Sequence, residues 1–191
     1  ESSRQAIANA GTWRESFDPT GIEQSVAPVI WFIVIEGLGL IVAPVLWRAF
    51  PSLPDRGLAF AKTIGLLAVS WIGWWLASLQ VLSWTRLSIV IAVVFVSLGA
   101  GLAVRGTGRK WFAWVGSNWR IVLALELTFL IAFAGFTAIR AFNPDLWHPA
   151  RGGEKPMEFA YLNAVIRTAS FPPYDPWYAG GYLNLSLIHI S

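Results

Sequence analysis

Apolar residues fall into four long runs, each separated from the next by a short polar or turn-rich segment. A transmembrane helix needs roughly 20 mostly apolar residues. The pattern therefore predicts four membrane-spanning helices, at about residues 26–47, 58–82, 87–104 and 121–141. A polar segment, residues 1–25, precedes them, and a loop, residues 142–184, follows them. We expect an all-α membrane protein whose long loop lies outside the bilayer.

Composition supports this fold class. Hydrophobic residues make up 55% of the chain and charged residues 13%, whereas about a quarter of a soluble domain is charged. Cysteine is absent, which excludes disulfides and cysteine-bound metals. The net charge of +3 comes from basic residues beside the apolar runs, so it indicates membrane topology and no nucleic-acid partner.

Both ends of the chain suggest a fragment. It begins at Glu1 without a methionine, and no signal-peptide pattern precedes the first apolar run. Residues 185–191, LSLIHIS, look like the in-frame translation of a sequencing-library adapter. We therefore expect the native sequence to run to Asn184 and then to continue differently.

Lysine and arginine near the span ends indicate the orientation, although each side of the membrane receives seven. One set is Arg48, Arg56, Lys62, Arg105, Arg109, Lys110 and Arg120. The other is Arg4, Arg14, Arg86, Arg140, Arg151, Lys155 and Arg167. The first set lies mostly in short connections, where the positive-inside rule is strongest. This favours a protein of the cell membrane. The first set of basic residues would lie in the cytoplasm, and the loop at 142–184 would be extracytoplasmic.

Two carboxylates lie inside the predicted spans, Glu36 and Glu126. A charge there costs roughly 2.5–3.5 kcal/mol on insertion scales, so it usually has a partner. These residues fit a proton or substrate pathway, or packing as protonated or hydrogen-bonded side chains. Small residues at four-residue spacing, such as Ser97 with Gly101, suit close helix packing.

The loop after the fourth span has internal order. Residues 154–168 predict a short amphipathic surface helix, with Pro156 in its first turn and Glu154 and Glu158 where the helix dipole favours negative charge. The aromatic loop, which we define as residues 171–184 (FPPYDPWYAGGYLN), has too much proline and glycine for regular structure.

Chemistry-bearing residues concentrate in this region. Four carboxylates could act as general base and acid, or as ligands for Mg²⁺ or Mn²⁺: Asp145, Glu154, Glu158 and Asp175. Tyr and Trp faces suit sugar rings, and arginine and lysine suit a phosphate. Simpler interpretations stay open: Glu154 and Glu158 as a helix start, Asp175 as a turn initiator, and His148 as a loop anchor.

The motifs resemble those of an uncharacterised membrane family with a Tyr-Tyr-Tyr motif (Chlor_Arch_YYY). The resemblance rests on LPDRG at 53–57, NPDLWHP at 143–149, RGGEKPMEFAYLNAVIR at 151–167 and FPPYDPWYAGGYLN at 171–184. The Tyr-Tyr-Tyr run itself is absent, because LSLIHIS stands in its place.

That family is similar to the GT-C glycosyltransferases, which include protein mannosyltransferases and use polyprenyl-phosphate sugars as donors. The resemblance implies catalytic roles for Glu154, Glu158 and Asp175. It also implies substrate contacts from Arg151, Lys155, Tyr174, Trp177, Tyr178 and Tyr182. GT-C enzymes often have Asp-Glu where this chain has Glu154-Lys155.

Two other hypotheses remain. A non-enzymatic membrane protein, a transporter or assembly scaffold, would use the loop for docking and would have Glu36 and Glu126 facing a shared cavity. A lipid-binding module without chemistry is the third.

Overall fold

A computed structural model of the chain describes residues 26–142, 155–178 and 180–183, with only the backbone at 155 and 156. This part of the chain contains six α-helices. They are α1 (Ala27–Ala49), α2 (Ala61–Ser78), α3 (Arg86–Ala103), α4 (Gly108–Ser117), α5 (Trp119–Phe142) and α6 (Lys155–Arg167). A short 3₁₀ helix, Leu58–Phe60, precedes α2. No strand forms among the described residues, where β-pairing is limited to one isolated bridge.

Four helical segments are long and apolar enough to cross a membrane: Ala27–Ala49, Leu58–Ser78, Arg86–Ala103 and Trp119–Phe142. The predicted all-α membrane fold is therefore confirmed. The connection between the second and third spans is longer than the four residues predicted at 83–86. Helix α2 ends at Ser78 and α3 begins at Arg86, so residues 79–85 link them.

The turn before α2 is ordered by one carboxylate. Asp55 accepts hydrogen bonds from the backbone N–H groups of Gly57 (3.3 Å) and Ala59 (3.0 Å). Gly57 has φ = 77°, a left-handed conformation that glycine adopts without a steric penalty. These bonds satisfy N–H groups at the helix start that would otherwise lack partners.

Clustering of contacts divides the chain into two units. The helical unit comprises the described residues of 22–72 and 90–143, and the loop unit those of 73–89 and 144–191. The core of the helical unit consists of Val42, Ala43, Leu46 and Ala61, all buried.

Glycines allow the first two spans to approach closely. A Cβ on Gly65 would come within 2.6 Å of the carbonyl oxygen of Leu38, and a Cβ on Gly39 within 2.8 Å of Lys62 Cγ. Only a residue without a side chain permits this backbone approach. Gly101, which the sequence pattern also suggested for close helix packing, makes no such approach, because a Cβ there would meet nothing within 4 Å.

Helix α4 forms from the basic, tryptophan-rich segment between the third and fourth spans. Its Trp111 ring packs edge-on against Trp47 of α1, with centroids 5.9 Å apart. The Arg56 guanidinium lies over the Trp47 ring at 5.0 Å and over the Trp114 ring at 5.8 Å. Amphipathic rings combined with cations are typical of a membrane–water interface.

In the loop unit, residues 80–84 contact the segment that follows α6. The backbone N–H of Trp84 donates to the carbonyl of Ala169 (2.7 Å), and its ring packs edge-on against Phe171 with centroids 5.2 Å apart. Gln80 Nε2 donates to the carbonyl of Phe171 (3.3 Å). The short link between α2 and α3 therefore holds the start of the aromatic loop.

Candidate functional site

The aromatic loop folds back on itself as a miniature hairpin. Tyr174 and Tyr182 form an antiparallel bridge, and the N–H of Asp175 donates to the carbonyl of Gly181 (3.0 Å). Gly180, with φ = 99°, supplies the reversal in a region that favours glycine. Tyrosines eight positions apart are therefore brought side by side.

The two tyrosine rings stack, with centroids 5.0 Å apart and planes 19° from parallel. A hydrogen bond with the Tyr174 side chain raises the pKa of Tyr182 above its ordinary value. Both rings keep large exposed faces, 41% for Tyr174 and 55% for Tyr182. The pair forms a flat aromatic surface at the base of the hairpin.

Asp175 orders the tip of this hairpin. Its Oδ1 accepts hydrogen bonds from the backbone N–H groups of Trp177 (2.8 Å) and Tyr178 (3.3 Å). This is an Asx turn, in which an Asp side chain accepts hydrogen bonds from backbone N–H groups that follow it in the chain. Among the described residues, Oδ2 accepts no hydrogen bond. Asp175 is therefore a turn former whose second carboxylate oxygen has no partner within the described part of the chain.

Trp177 and Tyr178 extend from the capped turn, with exposed fractions of 62% and 69%. Together with the stacked tyrosines they give four exposed rings on the hairpin that Asp175 caps. Aromatic faces of this kind pack against the C–H faces of sugars or lie in a membrane interface.

The other predicted site residues are only partly located. Glu158 is exposed in the first turn of α6 and makes no hydrogen bond or ion pair with any described residue. The backbone of Lys155 begins α6, but its side chain is not described, and Arg151 and Glu154 lie outside the described residues. Asp145 and His148 also lie outside them. The convergence of Glu154 with Asp175 thus stays a prediction.

A second group of charges lies in the helical unit. Lys62 Nζ of α2 lies 3.2 Å from Glu36 Oε2 of α1 and 2.5 Å from Glu126 Oε2 of α5. We call these three residues the charge cluster. Exposed fractions of the side chains are 15% for Lys62, 22% for Glu36 and 47% for Glu126. Three spans are therefore joined by one ammonium group.

Neighbouring residues shape the charge cluster. Lys62 Nζ lies 4.4 Å from the centroid of the Phe129 ring, an attractive cation–π contact. Gly39 leaves room for the Lys62 stem, since a Cβ there would clash with Cγ. Glu36, Lys62 and Glu126 line a cavity of about 180 Å³ whose remaining walls are apolar or glycine.

The cluster is not neutral when all three groups are ionised, because two carboxylates face one ammonium. Their shared partner offsets much of the roughly 2.5–3.5 kcal/mol that each intramembrane charge costs. Glu36 Oε1 is buried and has no hydrogen-bond partner among the described residues. One negative charge therefore remains uncompensated.

The sequence anticipated only part of this arrangement. It indicated that Glu36 and Glu126 would need partners, but Lys62 was counted as a flanking residue of the positive-inside pattern. The available signal was a lysine within a predicted span that contained no other charge.

No group of three or more His, Asp or Glu side chains suited to a metal occurs in residues 26–142 and the described part of 155–183. The predicted ligands Asp145 and Glu154 lie outside the described residues, so a Mg²⁺ or Mn²⁺ site stays a prediction.

The model of a family described as "Uncharacterized membrane protein (DUF2298)" matches residues 68–185. The chain belongs to this family. The match includes Glu126, α6 and the aromatic loop, while Glu36 and Lys62 precede it. No curated protein and no solved structure matches the chain.

Proposed function

We propose that this membrane protein transfers a sugar from a polyprenyl-phosphate donor to an acceptor hydroxyl at the extracytoplasmic face of the cell membrane. The observation that carries the proposal is the ordered aromatic hairpin: it presents four exposed rings, and it is capped by Asp175, whose Oδ2 accepts no hydrogen bond from a described residue. Sugar binding needs this combination, because C–H faces pack on aromatic rings while hydroxyls require acceptors.

In the proposed reaction, the acceptor oxygen attacks the anomeric carbon of the donor. The bond from that carbon to the phosphate oxygen breaks, with inversion, and polyprenyl phosphate leaves. Glu154 takes the acceptor proton as general base. Glu158 or Asp175 orients the acceptor, and Arg151 or Lys155 neutralises the departing phosphate.

The test uses the full-length protein in lipid vesicles with a polyprenyl-phosphate sugar donor. Glu154→Gln removes the base but keeps its size, and we expect at least a 100-fold loss of transfer, in line with general-base contributions. Undiminished transfer by this variant would remove Glu154 as the base.

Asp175→Asn examines the second acid cleanly, because an asparagine oxygen can still accept the two backbone hydrogen bonds of the turn. Asp55→Asn is the matched control, since Asp55 also accepts two backbone N–H bonds in a turn. We expect transfer to fall in the first variant and to persist in the second. Equal transfer by both would mean that Asp175 serves only the turn.

A second candidate is a non-enzymatic transporter or assembly scaffold. One observation favours it: Glu36 and Glu126 line a single cavity, as this hypothesis requires. Two results together would support it: the protein shows no glycosyl transfer, and its transport or assembly depends on these two residues.

A further inference from the structure

Two carboxylates and one ammonium form the charge cluster, and among the described residues its second carboxylate has no counter-ion of its own. Lys62 Nζ contacts one oxygen of each acid, Glu36 Oε2 at 3.2 Å and Glu126 Oε2 at 2.5 Å. The two acids are therefore held against the same group and repel each other. Inside a membrane, an unbalanced charge is far more costly than in water.

The Oε2 atoms of both acids contact the same nitrogen, so the two carboxyl groups are neighbours. Two ionised carboxylates cannot hydrogen-bond to each other, because neither has a donor. One proton between them supplies the donor and neutralises the cluster. The buried Oε1 of Glu36, unpaired within the described part of the chain, also marks this group as lacking a partner.

A proton suits the site better than a metal ion. Lys62 already occupies the space between the carboxylates and would repel a second cation. Side chains of the other nine lining residues of the 180 Å³ cavity carry no oxygen, whereas Na⁺ or Mg²⁺ requires several oxygen ligands.

Space for water adjoins the charge cluster. A second cavity of about 260 Å³ is lined by Lys62 and Glu126 together with the hydroxyl-bearing Thr63 and Thr128. Glu126 borders both cavities and is 47% exposed. Each cavity exceeds the roughly 30 Å³ that one water occupies. Glu126 is therefore the acid of the cluster that borders both spaces.

We propose that Glu36, Lys62 and Glu126 form an intramembrane proton-binding site in which the two carboxyl groups share one exchangeable proton. The titratable groups that face it are Glu36 from α1, Lys62 from α2 and Glu126 from α5, while α4 contributes the apolar Trp111, Phe112 and Val115. This proposal does not depend on glycosyl transfer. It supplies a proton-binding site for the second candidate function, the transporter.

The test is infrared spectroscopy of the full-length protein in lipid vesicles at neutral pH, in H₂O and in D₂O. We expect the C=O band of one protonated carboxylic acid, shifted in D₂O because its proton exchanges. Either Glu36→Gln or Glu126→Gln leaves one acid paired with Lys62, which is neutral, so the band should vanish in each. Asp55→Asn, which alters a carboxylate in a turn, should retain it.

The charges of the cluster give a second prediction for the same measurement. Lys62→Gln leaves two acids without a cation, so both should bind protons and the band should grow about two-fold. If that variant does not fold, the two glutamine variants decide. A wild-type protein without the band, a band that persists in both glutamine variants, or a band abolished by Na⁺ but not by choline would overturn the proposal. The glycosyl-transfer assay tests the proposed function separately, so failure of the proton-site proposal would not decide it.

Discussion

Replacing Lys62 by methionine provides the most direct test of how the spans are held together. Methionine keeps the length of the apolar stem and removes the ammonium. Glu36, with a side chain 22% exposed, and Glu126, 47% exposed, would then face each other without a cation. The contact of Nζ with the Phe129 ring, 4.4 Å away, would also be lost.

Removing one partner from a buried ion pair costs about 3–5 kcal/mol, because the remaining charge stays buried. The cation–π contact adds about 0.5–1 kcal/mol. Because Lys62 is 15% exposed and not fully buried, we take the lower end of that range and expect a net loss of about 3 kcal/mol at neutral pH. Acidification should shrink the loss, because both carboxyl groups must bind protons once the cation is removed, and binding them costs less at low pH.

The assay is unfolding of the full-length protein in mixed micelles by increasing SDS, followed by circular dichroism. Lys110→Met on α4 is the control, since Lys110 is exposed and its loss should change stability by about 0.5 kcal/mol or less. Adding Glu36→Gln and Glu126→Gln to Lys62→Met should recover most of the stability. A Lys62→Met variant as stable as the Lys110→Met control would refute the reasoning.

Three further predictions concern packing and the aromatic hairpin. Gly65→Ala should destabilise the helical unit by about 1–3 kcal/mol through backbone overpacking, whereas Gly99→Ala, with nothing within 4 Å of the added Cβ, should be neutral or stabilising in the same SDS titration. Tyr174→Phe should lower the pKa of Tyr182 toward about 10 in an ultraviolet titration, because the hydrogen bond that raises this pKa is lost. In the wild type, the bond stabilises the hairpin at pH values below the ordinary tyrosine pKa, and this stabilisation is lost as pH rises through the pKa of Tyr182. Asp175→Ala should speed hydrogen exchange at the two capped amides and destabilise the turn by about 1 kcal/mol, while Asp175→Asn should leave the exchange nearly unchanged.

Much of the fold follows from local pattern. Runs of about 20 apolar residues can only be stable in a bilayer as helices, because backbone groups must be satisfied within the segment. The spans therefore appear close to where the pattern predicts them, for example Trp119–Phe142 for the prediction at 121–141. The short helix after the fourth span also extends over Lys155–Arg167, near the predicted 154–168.

The aromatic loop was predictable in composition but not in geometry. Proline and glycine indicated a shaped turn, and Asp175 was a recognisable turn former. The stacking of Tyr174 on Tyr182 depends on an antiparallel pairing across eight residues, with the reversal at Gly180. No local periodicity encodes that pairing.

The sequence by itself determined that this chain enters a membrane and that two acids within its spans need partners. Only the tertiary structure decided that Lys62 serves both Glu36 and Glu126. The reason is physical: hydropathy is a property of each segment alone, whereas an ion pair between spans depends on how each helix is rotated about its axis and how closely it approaches its neighbours. Here that approach is set by Gly39 and Gly65, whose missing side chains allow the first two spans to touch.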